Sequence, residues 1–112
     1  MQSTAELTML SAPDIDRLPW QPVPDCPGVY AKELWRSVDC VHTLILYEPG
    51  AQTPGLPHPH AHQHMWMVAG EATVTGRRLG AGSYLNVPAR MPHPINDAGP
   101  LGCLLLQVST AQ

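Results

Sequence analysis

The stretch His58-Pro59-His60-Ala61-His62-Gln63-His64 carries four of the six histidines of this 112-residue chain, one at every second position. A fifth histidine, His93, follows farther along the chain, after a proline-rich turn. Alternate residues of an extended chain point to the same face, so we expect His58 and His60 to face one site. Because neutral imidazole is the commonest side-chain metal ligand, the pattern predicts that two strands of a sheet hold one ion.

The composition favours short strands over helices. Thirteen prolines and nine glycines are spread along the chain, and helices tolerate both residues badly. Segments that suit strands alternate with turns, which is typical of a sandwich or barrel. The predicted strands are 29–35, 41–47, 63–69, 72–75, 83–87 and 102–108. We also expect a turn at Gly70-Glu71 and a helical turn over 11–17, capped by Ser11.

Charge and cysteine usage exclude several classes of function. The net charge of −3 offers no basic patch, which argues against nucleic acid or an anionic membrane as the main partner. The sequence shows no signal peptide and no apolar run long enough to span a bilayer. The chain has an odd number of cysteines, namely Cys26, Cys40 and Cys103. Together with the lack of a signal peptide, this odd number predicts a cytoplasmic protein with buried, reduced thiols. Only 13% of the residues are charged, which favours a surface covered by another subunit.

The residues around the histidines resemble the two motifs of the cupin family. In that family a glycine precedes His-x-His, then a glutamate (sometimes glutamine or histidine), then a glycine. Here the first motif reads Gly50, His58, His60 and Gly70, and the second reads Gly82, Pro88, His93 and Asn96. The resemblance implies an all-β fold, a small antiparallel jelly-roll barrel with a metal ion in its mouth. We place the barrel at 28–109, after an N-terminal lead at 1–27 and before a tail at 110–112.

The fourth ligand is the point at which this sequence departs from the family. Its glutamate is missing: counting back from Gly70 gives Gln63, whereas counting forward from His60 gives His64. A slip of one residue turns a side chain to the other face of a strand. Imidazole binds divalent transition metals better than a neutral amide does, so we prefer His64 and keep Gln63 as its competitor.

The resemblance therefore implies a divalent Fe, Ni, Cu or Zn ion held by His58, His60, His64 and His93. An exposed histidine-rich loop without a metal is the alternative. His62 is expected to face solvent or a neighbouring subunit.

Small cupins similar to this chain include dioxygenases with three histidine ligands, and isomerases or hydrolases of sugar derivatives with two histidines, a glutamine and a third histidine. Others belong to regulators, including anti-sigma factors that carry a metal. We expect a metal-dependent enzyme on a small oxygenated molecule, with dioxygenase cleavage of an enolisable ketone favoured. The alternatives are the sugar-directed isomerase or hydrolase and a non-enzymatic sensor.

Two further residues are candidates for catalysis. Tyr84 offers a phenol for proton transfer, and Arg90, close to His93, offers a cation for an anionic substrate. The resemblance also implies a homodimer, and the proline-rich lead around Trp20 is compatible with it.

Overall fold

The computed structural model describes residues 6–56 and 58–111, and the elements named here lie in those ranges. Helix α1 spans Ala12–Arg17. The strands are β1 (Gln21–Pro22), β2 (Val29–Arg36), β3 (Cys40–Tyr47), β4 (Ala61–Val74), β5 (Arg77–Gly80), β6 (Tyr84–Val87), β7 (Ile95–Asn96) and β8 (Cys103–Ala111). Every pairing between these strands is antiparallel, and the predicted all-β jelly-roll fold is confirmed.

Strand β4 connects the two sheets of the barrel. The strands follow the order β1-β2-β3-β8-β4-β5, and β6 and β7 also pair with β4. The first half of β4 lies between β8 and β6, with Met65 opposite Leu85 on β6. The second half lies between β5 and β7, with Thr73 opposite both Arg78 and Asn96. One long strand is therefore shared by both sheets.

The turn predicted at Gly70-Glu71 is a bend within β4, and that prediction is wrong. The pairing with β8 shifts register between Met67 and Ala69, and Gly70 has φ +75°. A Cβ atom at Gly70 would overlap the carbonyl of Gly102 on the chain beside it, so the close approach requires glycine. The glycine that reads as a turn signal lets one strand pass from one sheet to the other.

The N-terminal lead packs on its own barrel. Ser11 caps α1 as predicted, because its hydroxyl accepts from the Asp14 backbone N–H and Asp14 accepts from the Ser11 N–H. Lys32 on β2 donates from Nζ to the carbonyls of Ile15 and Leu18 at 2.9 and 3.3 Å, and lies 4.2 Å from the centre of the Trp20 ring. The ammonium group of Lys32 stabilises the C-terminal end of α1, because helix carbonyls there carry partial negative charge. It also makes a favourable cation–π contact with the Trp20 indole.

Strand pairing extends beyond the predicted barrel at both ends. Strand β1 lies in the predicted lead and pairs with β2, and β8 extends to Ala111, inside the predicted tail.

The core contains no phenylalanine and is built from aliphatic, methionine, tyrosine and cysteine side chains. Cys103 is buried as expected, whereas Cys26 and Cys40 are only half-buried. No helix in the described part of the chain has the length and apolarity needed to cross a bilayer.

Candidate functional site

A cavity of about 360 Å³ enters the barrel between the loop before β4 and the loop before β7. Its apolar walls include Val29, Ile45, Leu56, Met65 and Ile95. Its polar lining includes Asp25, Tyr47, Thr53, His58, Gln63, His93 and Gln107. An apolar cavity with a few convergent polar groups is the usual form of a small-molecule site.

Gln63 reaches this cavity because of its position on β4. In the first half of the strand the side chains at 63, 65 and 67 are at most 3% exposed, whereas those at 66 and 68 are 42% and 51% exposed. Odd-numbered residues therefore face the interior. The Oε1 atom of Gln63 is buried and has no hydrogen-bond partner among residues 6–56 and 58–111. An unsatisfied buried acceptor is costly and calls for an explanation such as an absent ligand.

His93 lines the cavity and has one ring nitrogen engaged by the backbone. The side chain is buried, and its Nδ1 lies 3.2 Å from the Met91 carbonyl, which can only accept. Nδ1 therefore carries the proton, and Nε2 carries the lone pair that a metal ion needs. Burial lowers the pKa of His93; the hydrogen bond to Met91 opposes the shift and the nearby His58 adds to it. The neutral form, which binds metals, is thus favoured.

Backbone hydrogen bonds hold His58 next to His93. The N–H of Arg90 donates to the His58 carbonyl at 2.9 Å, and the N–H of His93 donates to the Gly55 carbonyl at 2.8 Å. Gly55 has φ +60°, and a Cβ atom there would overlap the His93 carbonyl, so the two loops can approach only at a glycine. As a result the rings of His58 and His93 have their centres 5.6 Å apart.

His60 does not join this group. Pro59 and His60 form a turn, and β4 begins only at Ala61. The expectation that His58 and His60 face one site assumed an extended chain, and the turn removes that assumption. His58 and His60 are both exposed, but His58 lines the cavity and His60 does not.

His64 lies on the outer face of β4, so the preference for it over Gln63 is corrected. Its Nδ1 lies 2.6 Å from the Tyr84 hydroxyl and 3.3 Å from Asn86 Nδ2, both on β6. His62, also on that face, is bonded to Asn86 Oδ1 at 2.7 Å and stays outside the cavity as expected. The register allows only one of the two adjacent residues 63 and 64 to point inward, and it is 63.

The two catalytic candidates also lie outside the cavity. Tyr84 is 47% exposed on the outer face, where its ring packs against Trp66. Arg90 is exposed in a turn with φ +69°, and its backbone N–H, bonded to His58, is its link to the site. Neither side chain lines the cavity, and no arginine or lysine among residues 6–56 and 58–111 does so.

Sequence reasoning missed Tyr47 and Thr53, which supply a hydroxyl pair in the cavity. Their oxygens are 3.0 Å apart, and Tyr47 is 2% exposed. Burial raises the pKa of Tyr47 to about 12, against the opposing effect of the Thr53 hydrogen bond. The phenol therefore stays protonated at neutral pH. The available signal was its place as the last residue of a predicted buried strand, directly before Glu48-Pro49-Gly50.

The donor set can be compared with the needs of a metal ion. Within residues 6–56 and 58–111, no three His, Cys, Asp or Glu side chains are grouped to hold one. The cavity lining includes two imidazoles, from His58 and His93, and the unpartnered amide oxygen of Gln63, as well as Asp25 and Cys26. Two nitrogens and one neutral oxygen fit a borderline transition metal, with the other coordination positions left to non-protein ligands.

Comparison with known families finds one model that matches nearly the whole chain. The model is described as the ChrR cupin-like domain, and it covers residues 10–110. No curated protein matches the sequence.

Solved structures with the same fold include proteins of different kinds. KdgF from Halomonas sp. has a TM-score of 0.78 at 22% identity, over 96% of each chain. The polyketide cyclase RemF from Streptomyces resistomycificus has a TM-score of 0.78 at 16% identity, over 96% of this chain and 81% of that one. The anti-sigma ChrR of Rhodobacter sphaeroides, in complex with SigE, has a TM-score of 0.71 at 18% identity, over 86% of this chain and 51% of that one. Likeness at these identities shows the fold alone.

Proposed function

This chain belongs to the ChrR cupin-like domain family, and we propose that it binds a divalent transition metal and a small oxygenated molecule in the barrel cavity. His58, Gln63 and His93 are the proposed metal ligands. The metal is Fe, Ni, Cu or Zn, as the two imidazoles favour. The ligand enters through the same cavity, whose apolar walls surround its carbon skeleton.

The observation that carries this proposal is the buried Oε1 atom of Gln63, which has no hydrogen-bond partner in the described part of the chain. An amide oxygen in an apolar barrel normally finds a donor, because leaving it unpaired costs about 1–3 kcal/mol. A cation held by this oxygen together with the two imidazoles would satisfy it. The Nδ1 hydrogen bond of His93 supports the same conclusion, since it directs the lone pair of Nε2 away from Met91.

A bound divalent ion supplies Lewis acidity, which polarises a carbonyl or hydroxyl oxygen of the substrate. The residues of this chain do the remaining work. Met65, Ile45 and Ile95 exclude water around the substrate. Tyr47, hydrogen-bonded to Thr53, remains protonated and is our candidate proton donor in the cavity wall.

This arrangement favours carbonyl chemistry over the dioxygenase reaction that the sequence favoured. The dioxygenase expectation depended on three histidine ligands, whereas two histidines line the cavity together with Gln63. Two histidines and a glutamine are part of the ligand set that the family resemblance associates with isomerases and hydrolases of sugar derivatives. We therefore propose an isomerase or hydrolase acting on a small carbonyl or hydroxyl compound.

A second candidate function is regulatory. The matching family model takes its name from ChrR, and the anti-sigma ChrR shares the fold. In this hypothesis the same cavity binds a metal ion or a small molecule, and a protein partner binds only the occupied form of the domain. The two candidates differ in turnover: the enzyme converts its ligand, whereas the sensor binds it unchanged.

Titration calorimetry with Fe²⁺, Ni²⁺, Cu²⁺ and Zn²⁺ tests the site. We expect one tight site per chain, weakened at least about tenfold, or ~1.4 kcal/mol, in His58→Ala and in His93→Ala. His42→Ala, which removes a histidine outside the cavity, is the matched control and should bind like the wild type. Equal affinity in all four proteins would contradict the proposed site.

The metal-loaded protein is then incubated with a panel of aldoses, ketoses and diketones under air, and the products are followed by NMR together with oxygen uptake. Conversion without oxygen uptake supports the isomerase or hydrolase. Oxygen uptake with a diketone would support the dioxygenase reaction instead. Tight binding without any conversion would support the regulatory function.

A further inference from the structure

We infer that the barrel cavity selects an uncharged, hydroxyl-bearing ligand of about monosaccharide size, and that Asp25 at its rim disfavours ligands with a phosphate or carboxylate group. This ligand class rests on the proposed function, because it is bound in the same cavity. Three features of the described residues support it. The cavity lining has no lysine or arginine, it has one carboxylate, and its hydroxyl and amide groups are neutral.

The lysine and arginine side chains of this chain are all placed away from the cavity. There are six of them, and all six lie within residues 6–56 and 58–111. Three form ion pairs with carboxylates and one donates to the carbonyls at the end of α1; these are Arg17, Arg36, Arg78 and Lys32, in that order. The other two, Arg77 and Arg90, are exposed and outside the cavity lining. Since proteins ordinarily hold phosphate and carboxylate groups with arginine or lysine, the cavity lacks the usual partner of an anion.

A turn holds the one carboxylate at the rim. Asp25 is the only Asp or Glu among the described residues that line the cavity, and its side chain is exposed. The Cys26 N–H donates to the Val23 carbonyl at 3.2 Å, and Asp25 has φ +61°, as expected of a type II turn with Pro24 in its second position. The turn is fixed to the barrel, because the Val23 N–H donates to the Val29 carbonyl on β2 at 2.9 Å. The negative charge of Asp25 therefore stands at the entrance of the cavity.

The backbone of this turn does not require that charge. A positive φ at the third position of a type II turn favours glycine or asparagine. Aspartate has the shape of asparagine and adds a charge. Because asparagine suits the same backbone, the contribution of the Asp25 charge can be separated from that of the turn.

Neutral groups supply the rest of the polar lining. Tyr47 and Thr53 contribute hydroxyls 3.0 Å apart, and Gln107 on β8, opposite Met65, contributes an amide. Hydroxyl and amide groups both donate and accept, which matches the hydroxyl groups of a ligand. At about 360 Å³ the cavity is near the small end of the range for ligand sites, so the ligand is about the size of one sugar ring.

A bound divalent ion leaves this preference in place for the outlying parts of the ligand. The ion neutralises the ligand oxygens that it binds. A phosphate or carboxylate group elsewhere on the ligand meets a wall without lysine or arginine, and Asp25 at the rim. Unpaired and like charges of this kind are what discriminate against a ligand.

Calorimetry on the Zn²⁺-loaded protein at low ionic strength, where exposed charges are least screened, compares matched sugars. Glucose, galactose and fructose are the neutral probes, and glucuronate, galacturonate and fructose 6-phosphate are their anionic counterparts. We expect the neutral sugar that binds most tightly to bind at least about tenfold more tightly than its counterpart.

Asp25→Asn keeps the turn and should narrow this gap about threefold, by improving the binding of the anion alone. Asp97→Asn is the matched control: Asp97 is also an exposed carboxylate with positive φ, +51°, and it lies outside the cavity lining. It should keep the wild-type ratio. Added salt should narrow the wild-type gap towards that of Asp25→Asn, because salt screens an exposed charge. The Zn²⁺ affinity of each variant shows that its site is intact.

Two results would overturn the selectivity while the proposed function stands. One is an anionic sugar that binds as tightly as its neutral counterpart. The other is a ratio that Asp25→Asn leaves unchanged, or that Asp97→Asn changes equally. If Zn²⁺ binds and no sugar of either kind does, both this ligand class and the small-molecule ligand of the proposed function are wrong.

Discussion

The two faces of the first half of β4 differ in chemistry and in consequence. Gln63, Met65 and Met67 face the interior and are almost fully buried, whereas Trp66 and Val68 are about half-exposed on the outside. The outer face carries the better metal ligands, His62 and His64, yet they bond to Asn86 and Tyr84 on β6. The amide of Gln63 is the only polar group among the inner side chains at 63, 65 and 67. Strand register, and not ligand quality, therefore decides which side chain is available to a site.

The largest expected difference between the faces is in stability. Met65→Ala removes a buried side chain and should lower the free energy of unfolding by about 2–5 kcal/mol. Trp66→Ala, one residue later on the outer face, should cost the isolated chain much less, because its side chain is 42% exposed. Urea unfolding at a concentration where the protein is monomeric measures both. Equal losses would mean that the faces are not distinguished by burial.

A smaller effect is expected at alkaline pH, from the buried phenol of Tyr47. Burial raises its pKa to about 12, above the ordinary value near 10, so its contribution to stability is present below pH 10 and is lost as the pH rises from 10 through 12. By pH 11 the loss should be about 1 kcal/mol. Tyr47→Phe should lack this alkaline loss relative to wild type. Tyr84→Phe, on the outer face, should keep the wild-type profile, and the same alkaline loss in Tyr47→Phe would contradict the assignment.

Much of the fold could be predicted from the sequence, because its signals are local. Proline and glycine mark the turns, and β-branched and aliphatic runs mark strands such as β3 and β8. The Ser11 cap is equally local, since its partner Asp14 is three residues away. The bend at Gly70 could not be predicted in this way, because a glycine signals a turn and a bulge alike. The contact with Gly102 decides between them, and it joins distant parts of the chain.

The candidate site was predictable in part. His58 and His93 come together through hydrogen bonds between two loops, and the motif spacing pointed to both residues. The choice between Gln63 and His64 depended on the register of β4 against β8 and β6, which the two counting rules left open by one residue. His60 was misplaced because the turn at Pro59 interrupts the alternation on which its prediction rested.

Tyr47 and Lys32 show the other limit of sequence reasoning. Neither belongs to a motif, and both acquire a role only through tertiary contacts: Tyr47 with Thr53, and Lys32 with the end of α1. Lysine is rarely buried without partners, so its place under the lead could be read only from the folded chain.

Two adjacent substitutions, Gln63→Ala and His64→Ala, show by their metal affinity which face of β4 supplies the ligand. If the inner face of β4 supplies the ligand, Gln63→Ala should weaken binding of Ni²⁺ or Zn²⁺ about tenfold, or ~1.4 kcal/mol, measured by calorimetry at neutral pH. His64→Ala should bind like the wild type. The reverse order, with His64→Ala weakened and Gln63→Ala unchanged, would contradict the account.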